Sequence, residues 1–178
     1  YLEYQSIDSL IIRYYWTEAG GRDLDTRTAV IIPDRGVDVG WSRAASDDVY
    51  LEWGGDNTGI GYEAVLIDFE QLGADFPGTG ELIIRMRAFW YGSRGSGDIN
   101  VEFTGYRGGT MVKEEYNWRN QGGREERSIV VARNVTTAQS ANLDGEELGT
   151  AVYTFDSKRL DIYPPAAALT RSPQTSGE

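Results

Sequence analysis

Short apolar runs alternate with polar, glycine-containing breaks along this chain, and the alternation predicts strands. Residues 10–16 (LIIRYYW) place Leu10, Ile12, Tyr14 and Trp16 on one face and Ile11, Arg13 and Tyr15 on the other, the period of two that extended backbone imposes. Residues 81–91 repeat this more cleanly, with Leu82, Ile84, Met86, Ala88 and Trp90 on one face and Arg85 and Arg87 opposite. Residues 62–69 are nearly all apolar apart from Glu63 and Asp68, as in a strand covered on both sides. Further strands are predicted over 27–32, 49–53, 99–106, 111–118, 128–135, 148–156 and 160–163.

The breaks carry turn chemistry. Pro33-Asp34-Arg35-Gly36 stops one strand, residues 92–97 read as a hairpin tip, and Gly108-Gly109 suits a two-residue hairpin turn. Residues 37–48 are expected to be irregular around Trp41, 120–126 to be a polar loop, and 136–147 to be a linker or a short helix. Nine or ten short strands, no long helical period, no repeat and no dividing linker define the expectation. It is an all-β, single-domain antiparallel β-sandwich over residues 1–164, jelly-roll or immunoglobulin-like, with a flexible or partner-bound tail over 165–178.

Composition narrows the chemistry. With 178 residues the chain can bury a substantial core, and its 28 acidic against 17 basic residues give a net charge of −11. That field opposes nucleic acid, whose binding rests on neutralising phosphates. The chain contains no Cys and no His. A zinc-thiolate site, a cysteine nucleophile and a Ser-His-Asp triad are therefore excluded. No apolar run approaches the roughly 20 residues that a membrane-spanning helix needs, so membrane insertion by a helix is not expected. The opening at Tyr1 rather than Met fits a removed leader or a piece of a longer protein.

Two glycine-acid phrases stand out. Residues 20–28 (GGRDLDTRT) lie between apolar runs, and extended backbone would put Asp23, Asp25 and Arg27 on one face, with the carboxylates about 7 Å apart. Residues 53–59 (WGGDNTG) have the same grammar. Asp23 and Asp25 together with Asp56, and with Asn57 or Asp68, would offer the hard oxygen ligands that calcium takes, although the spacing is not that of an EF-hand. The alternative is that the two aspartates pair with Arg27, Arg85 or Arg87.

Aromatic residues make up 12% of the chain, with 5 Trp and 11 Tyr, which suits both sheets and sugar-stacking faces. Trp16 and Trp90 continue apolar faces and are expected in the core. Trp53, beside Gly54 and Gly55, is the better candidate for ligand stacking, backed by Asp56 and Asn57. Tyr91 and Tyr106 fall on polar faces and are expected to be exposed. Glu52, Glu63, Asp56 and Asp68 could in principle form a hydrolase pair, but an acidic chain offers many such pairs. No enzyme is expected.

Residues 16–28 (WTEAGGRDLDTRT) and 51–68 (LEWGGDNTGIGYEAVLID) resemble segments of bacteriophage virion structural proteins of the tail, fibre or head-decoration type. The resemblance implies a non-enzymatic sandwich that assembles in many copies with itself or with other virion proteins, at a virion or extracellular location, and that is homo-oligomeric. A carbohydrate-binding module of a secreted protein, with or without a calcium dependence, is the alternative, with a glycan as the partner.

Overall fold

The apolar faces read from the sequence close on each other as two antiparallel sheets. The computed structural model describes residues 2–4, 6–17, 23–33, 35–41, 43–47, 49–91, 97–136 and 145–165. In chain order the strands are β1 (Leu2–Tyr4), β2 (Ser9–Trp16), β3 (Leu24–Ile32), β4 (Arg35–Gly40), β5 (Leu51–Trp53) and β6 (Gly61–Asp68). Helix α1 (Phe69–Asp75) follows, then β7 (Glu81–Trp90), β8 (Gly97–Arg107), β9 (Thr110–Glu114), β10 (Asn117–Gln121), β11 (Arg124–Val135), β12 (Glu146–Thr154) and β13 (Arg159–Tyr163). One sheet has the order β1-β13-β12-β7-β3-β4 and the other β11-β8-β2-β6-β5. The fold is an all-β sandwich of antiparallel sheets.

The core lies between the sheets and is made from the alternating rows expected. Leu10, Ile12, Tyr14 and Trp16 of β2 meet Leu82, Ile84, Met86, Ala88 and Trp90 of β7, all buried. Trp90 is fully buried and its indole N–H donates to the Val135 carbonyl at 2.8 Å, which satisfies the one polar atom the ring brings inside. Trp16 is likewise buried.

Five expectations are corrected. β4 begins at Arg35, inside the expected turn, and takes in residues 37–40 of the expected irregular segment, registered on β3. The helix α1 was not foreseen; Asp68 caps it by accepting from the Gln71 N–H at 3.0 Å, while Phe69 and Leu72 anchor it in the core. Asp68 therefore serves a helix rather than an ion. The stretch 111–118 is two strands, because Tyr116 adopts a φ of 59° and folds β9 back against β10, and 120–126 is mostly strand rather than loop.

The fifth correction follows from that hairpin. It lays Trp118 across the outer face of the second sheet onto Ile11, Ala64 and Tyr106, forming a second small core. Tyr106 is therefore buried rather than exposed. Gly54 permits the close approach, since a Cβ there would sit 2.6 Å from the Tyr116 carbonyl oxygen. The expected hairpin tip over 92–96, most of the 136–147 connection and residues 166–178 of the expected tail lie outside the described residues.

Candidate metal centre

At one end of the sandwich the core turns polar. Thr26 and Thr28 of β3 continue the inward row that begins at Leu24, and both are buried. Thr28 shares a 2.6 Å hydrogen bond with the Tyr14 hydroxyl of the opposite sheet. Thr26 donates at 2.8 Å to Glu63, which projects inward from β6 in the same row as Val65 and Ile67. Glu63 is fully buried and also accepts from the Trp53 indole N–H at 3.2 Å and from the Asn57 backbone N–H at 3.2 Å. Three donors from three segments thus fix this carboxylate.

Asp23, Asp25 and Asp56 converge on Glu63. One oxygen from each of the four carboxylates lies within 4.8 Å of the others. The fold brings them together from two places in the chain. Asp25 stands in the second pair of the β3–β7 register, opposite Phe89, and Asp23 is held just before β3 by the Tyr91 N–H donating to its carbonyl at 2.9 Å. Asp56 arrives on the loop between β5 and β6, whose shape Asn57 sets: its amide donates to the Tyr62 carbonyl and its side-chain oxygen accepts from the Gly59 N–H.

This proximity is electrostatically expensive. Burial, then the Asp23 and Asp56 charges, push the Asp25 carboxyl up to about 7, with Arg27 opposing. Burial and the Asp56 charge push Asp23 up to about 6. Burial pushes Glu63 up to about 9, against its hydrogen bonds from Thr26, Asn57 and Trp53 and with the Asp25 charge adding to the rise. Asp25 is only 6% exposed, and no hydrogen bond to its carboxylate forms among the described residues. Among the described residues, Asp23 Oδ1 is buried without a hydrogen-bond partner. A buried carboxylate left without a donor is costly unless a cation or a proton meets it.

Each of the predicted site residues can now be placed. Asp23, Asp25 and Asp56, singled out as metal ligands, do come together. Of the arginines weighed as alternative partners, Arg27 pairs with Asp38 at 2.9 Å while its charge also acts on Asp25, and Arg85 approaches Glu147 at 4.0 Å. Asn57 shapes the loop and holds Glu63. Trp53 is 8% exposed with its indole N–H donated to Glu63, so its ring is a wall of the acidic centre rather than a stacking platform. Tyr91 is 57% exposed at the rim, as its polar-face position implied. Glu63 is the member that sequence reasoning named only as one acid among many. Its signal was present: an acid in the inward row of a strand otherwise apolar on that side.

Four oxygen donors without nitrogen or sulfur suit a hard cation, and calcium tolerates the irregular, carboxylate-rich geometry that magnesium does not. A cleft of about 740 Å³, lined by Tyr15, Gly61, Asn100 and Asn134 among others, contains none of the four carboxylates. Fold and site together define a β-sandwich with an acidic end. No protein-family model, no curated protein and no solved structure matches the chain.

Proposed function

We propose that the protein is a non-enzymatic, calcium-binding β-sandwich that acts as an interaction module. The observation that carries this reading is the convergence of Asp23, Asp25, Asp56 and Glu63, with Asp23 Oδ1 buried and without a hydrogen-bond partner among the described residues. The cation would tie the start of β3 to the loop between β5 and β6, and so fix the end of the sandwich that carries Tyr91 and the exposed Ile60. A second copy of the chain, or another virion protein, is the kind of partner that the resemblance of residues 16–28 and 51–68 implies.

Thermal melting of metal-free protein tests the reading. Added calcium raises the melting temperature, a chelator reverses the rise, and magnesium at the same concentration gives a smaller one. Asp23→Asn together with Asp56→Asn removes the response. A melting temperature indifferent to calcium and chelator would leave the acidic end as a neutralised, proton-sharing cluster.

A further inference from the structure

The outer face of the first sheet carries a second concentration of charge, of opposite sign. Arg27 of β3 and Arg87 of β7 stand directly opposite each other in register, and Arg85 lies two residues along on the same face. Like charges directly opposite on a sheet destabilise it, and nothing in a chain of net charge −11 forces them together. Their compensation is unequal. Arg27 has Asp38 at 2.9 Å, and Arg85 has Glu147 at 4.0 Å. Glu147 is the registered neighbour of Arg87, yet the ion pair it forms is with Arg85. Arg87 forms no hydrogen bond or ion pair among the described residues, although it is half-buried.

These guanidiniums border a groove of about 230 Å³ whose floor is apolar, formed by Ala29, Ile31 and Val37. β4 is the last strand of its sheet, so the groove opens toward a sheet edge along which an extended chain can lie. A guanidinium fork matches a planar carboxylate with two parallel hydrogen bonds, and the apolar floor calls for an aliphatic neighbour. Polyanions are disfavoured by the net charge of the protein, which repels a long run of phosphates but not a single acidic side chain.

We propose that this groove docks an acidic peptide segment of a partner protein. The segment places a Glu or Asp carboxylate against Arg87 and an aliphatic side chain on the Ala29–Ile31–Val37 floor. None of the four carboxylates of the acidic end lines this groove.

The probe is an acetylated, amidated pentapeptide, Leu-Glu-Leu-Glu-Leu, titrated into the whole chain with the arginine Nε–H resonances followed by NMR. The glutamine version of the peptide is the control. Saturable shifts at Arg87, Arg85 and Arg27 are expected, with the glutamate peptide binding at least about tenfold tighter than the glutamine one. Raising the salt should weaken it. Arg87→Gln should abolish the difference between the two peptides. Arg87→Lys, which keeps the charge and loses the fork, should fall between, and a melting curve of each variant confirms that it is folded. Equal binding of the two peptides by the unaltered protein, or no saturable shift at these arginines, would overturn the proposal. So would shifts unchanged in a folded Arg87→Gln variant.

Discussion

Asp25 and Arg27 are two residues apart on the same strand, yet the molecule treats the two charged regions they belong to in opposite ways. At the acidic end, the buried Asp25 and Glu63 are joined by the half-buried Asp23 and the exposed Asp56, and the four carboxylates converge on one another. On the sheet face, Arg27, Arg85 and Arg87 stay half-buried beside a groove and lean on acids at its margin. Converging buried carboxylates raise each other's proton affinity and create a demand for a cation. Arginines cannot neutralise themselves by losing a proton, so their demand is for an external anion. The same strand therefore presents two different requests for a partner, one for an ion and one for an acidic group.

The sharpest way to break the comparison is to delete its most buried member. Glu63→Ala leaves the Thr26 hydroxyl, the Trp53 indole N–H and the Asn57 N–H without their acceptor. At about 1–3 kcal/mol for each buried donor stranded, the loss in urea unfolding should reach about 3 kcal/mol or more. A loss below about 1 kcal/mol would mean that water readily replaces the carboxylate and that the centre is wetter than its burial indicates.

Calcium comes next. At a concentration one hundred times its dissociation constant it should add about 2.7 kcal/mol to the unfolding free energy of the unaltered protein and nothing to the Glu63→Ala variant. Equal gains in both would place the ion away from Glu63.

The pH dependence is smaller and has a definite sign. Asp23, Asp25 and Glu63 titrate near 6, 7 and 9 in the folded chain, against 3.8, 3.8 and 4.5 when unperturbed. The folded state binds more protons than the unfolded one between those limits, so each group's stabilising contribution is full below about pH 4 and is lost as pH rises through its folded value. Metal-free protein should thus lose stability from about pH 4 to about pH 9 on account of this cluster, and saturating calcium should flatten the decline. A metal-free profile that rises across that range, measured by denaturant unfolding at each pH, would contradict the burial of these acids.

The smallest effect belongs to the other region. Arg87→Gln relieves the opposition with Arg27 and should leave stability within about 0.5 kcal/mol, or raise it slightly. A loss above about 2 kcal/mol would show that Arg87 is a structural anchor and not a free docking group.

How much of this could be read beforehand depended on whether the deciding contact was local. The alternation in residues 10–16 and 81–91 specified β2 and β7 because a strand's face is written in every second residue. Asp23, Asp25 and Asp56 were legible as a group because glycine-flanked acids after apolar runs mark loops at a strand end. The burial of Trp53 and Tyr106 was not legible. It depends on the hairpin of β9 and β10 reaching over the sheet and on Glu63 offering the indole an acceptor, both consequences of pairing across many residues. The partners that Arg27 and Arg85 find were not legible for the same reason. Asp38 and Glu147 become neighbours only once β4 and β12 flank the β3–β7 pair.

The most direct test is a calorimetric titration of calcium into metal-free protein and into Asp25→Asn, whose side chain has nearly the same shape and no charge. The account predicts one saturable site per chain in the unaltered protein, weakened by about a hundredfold or more in the variant, while the variant in the absence of calcium is as stable as its parent or more so. Identical calcium affinity in the two proteins, or no saturable binding in either, would contradict it.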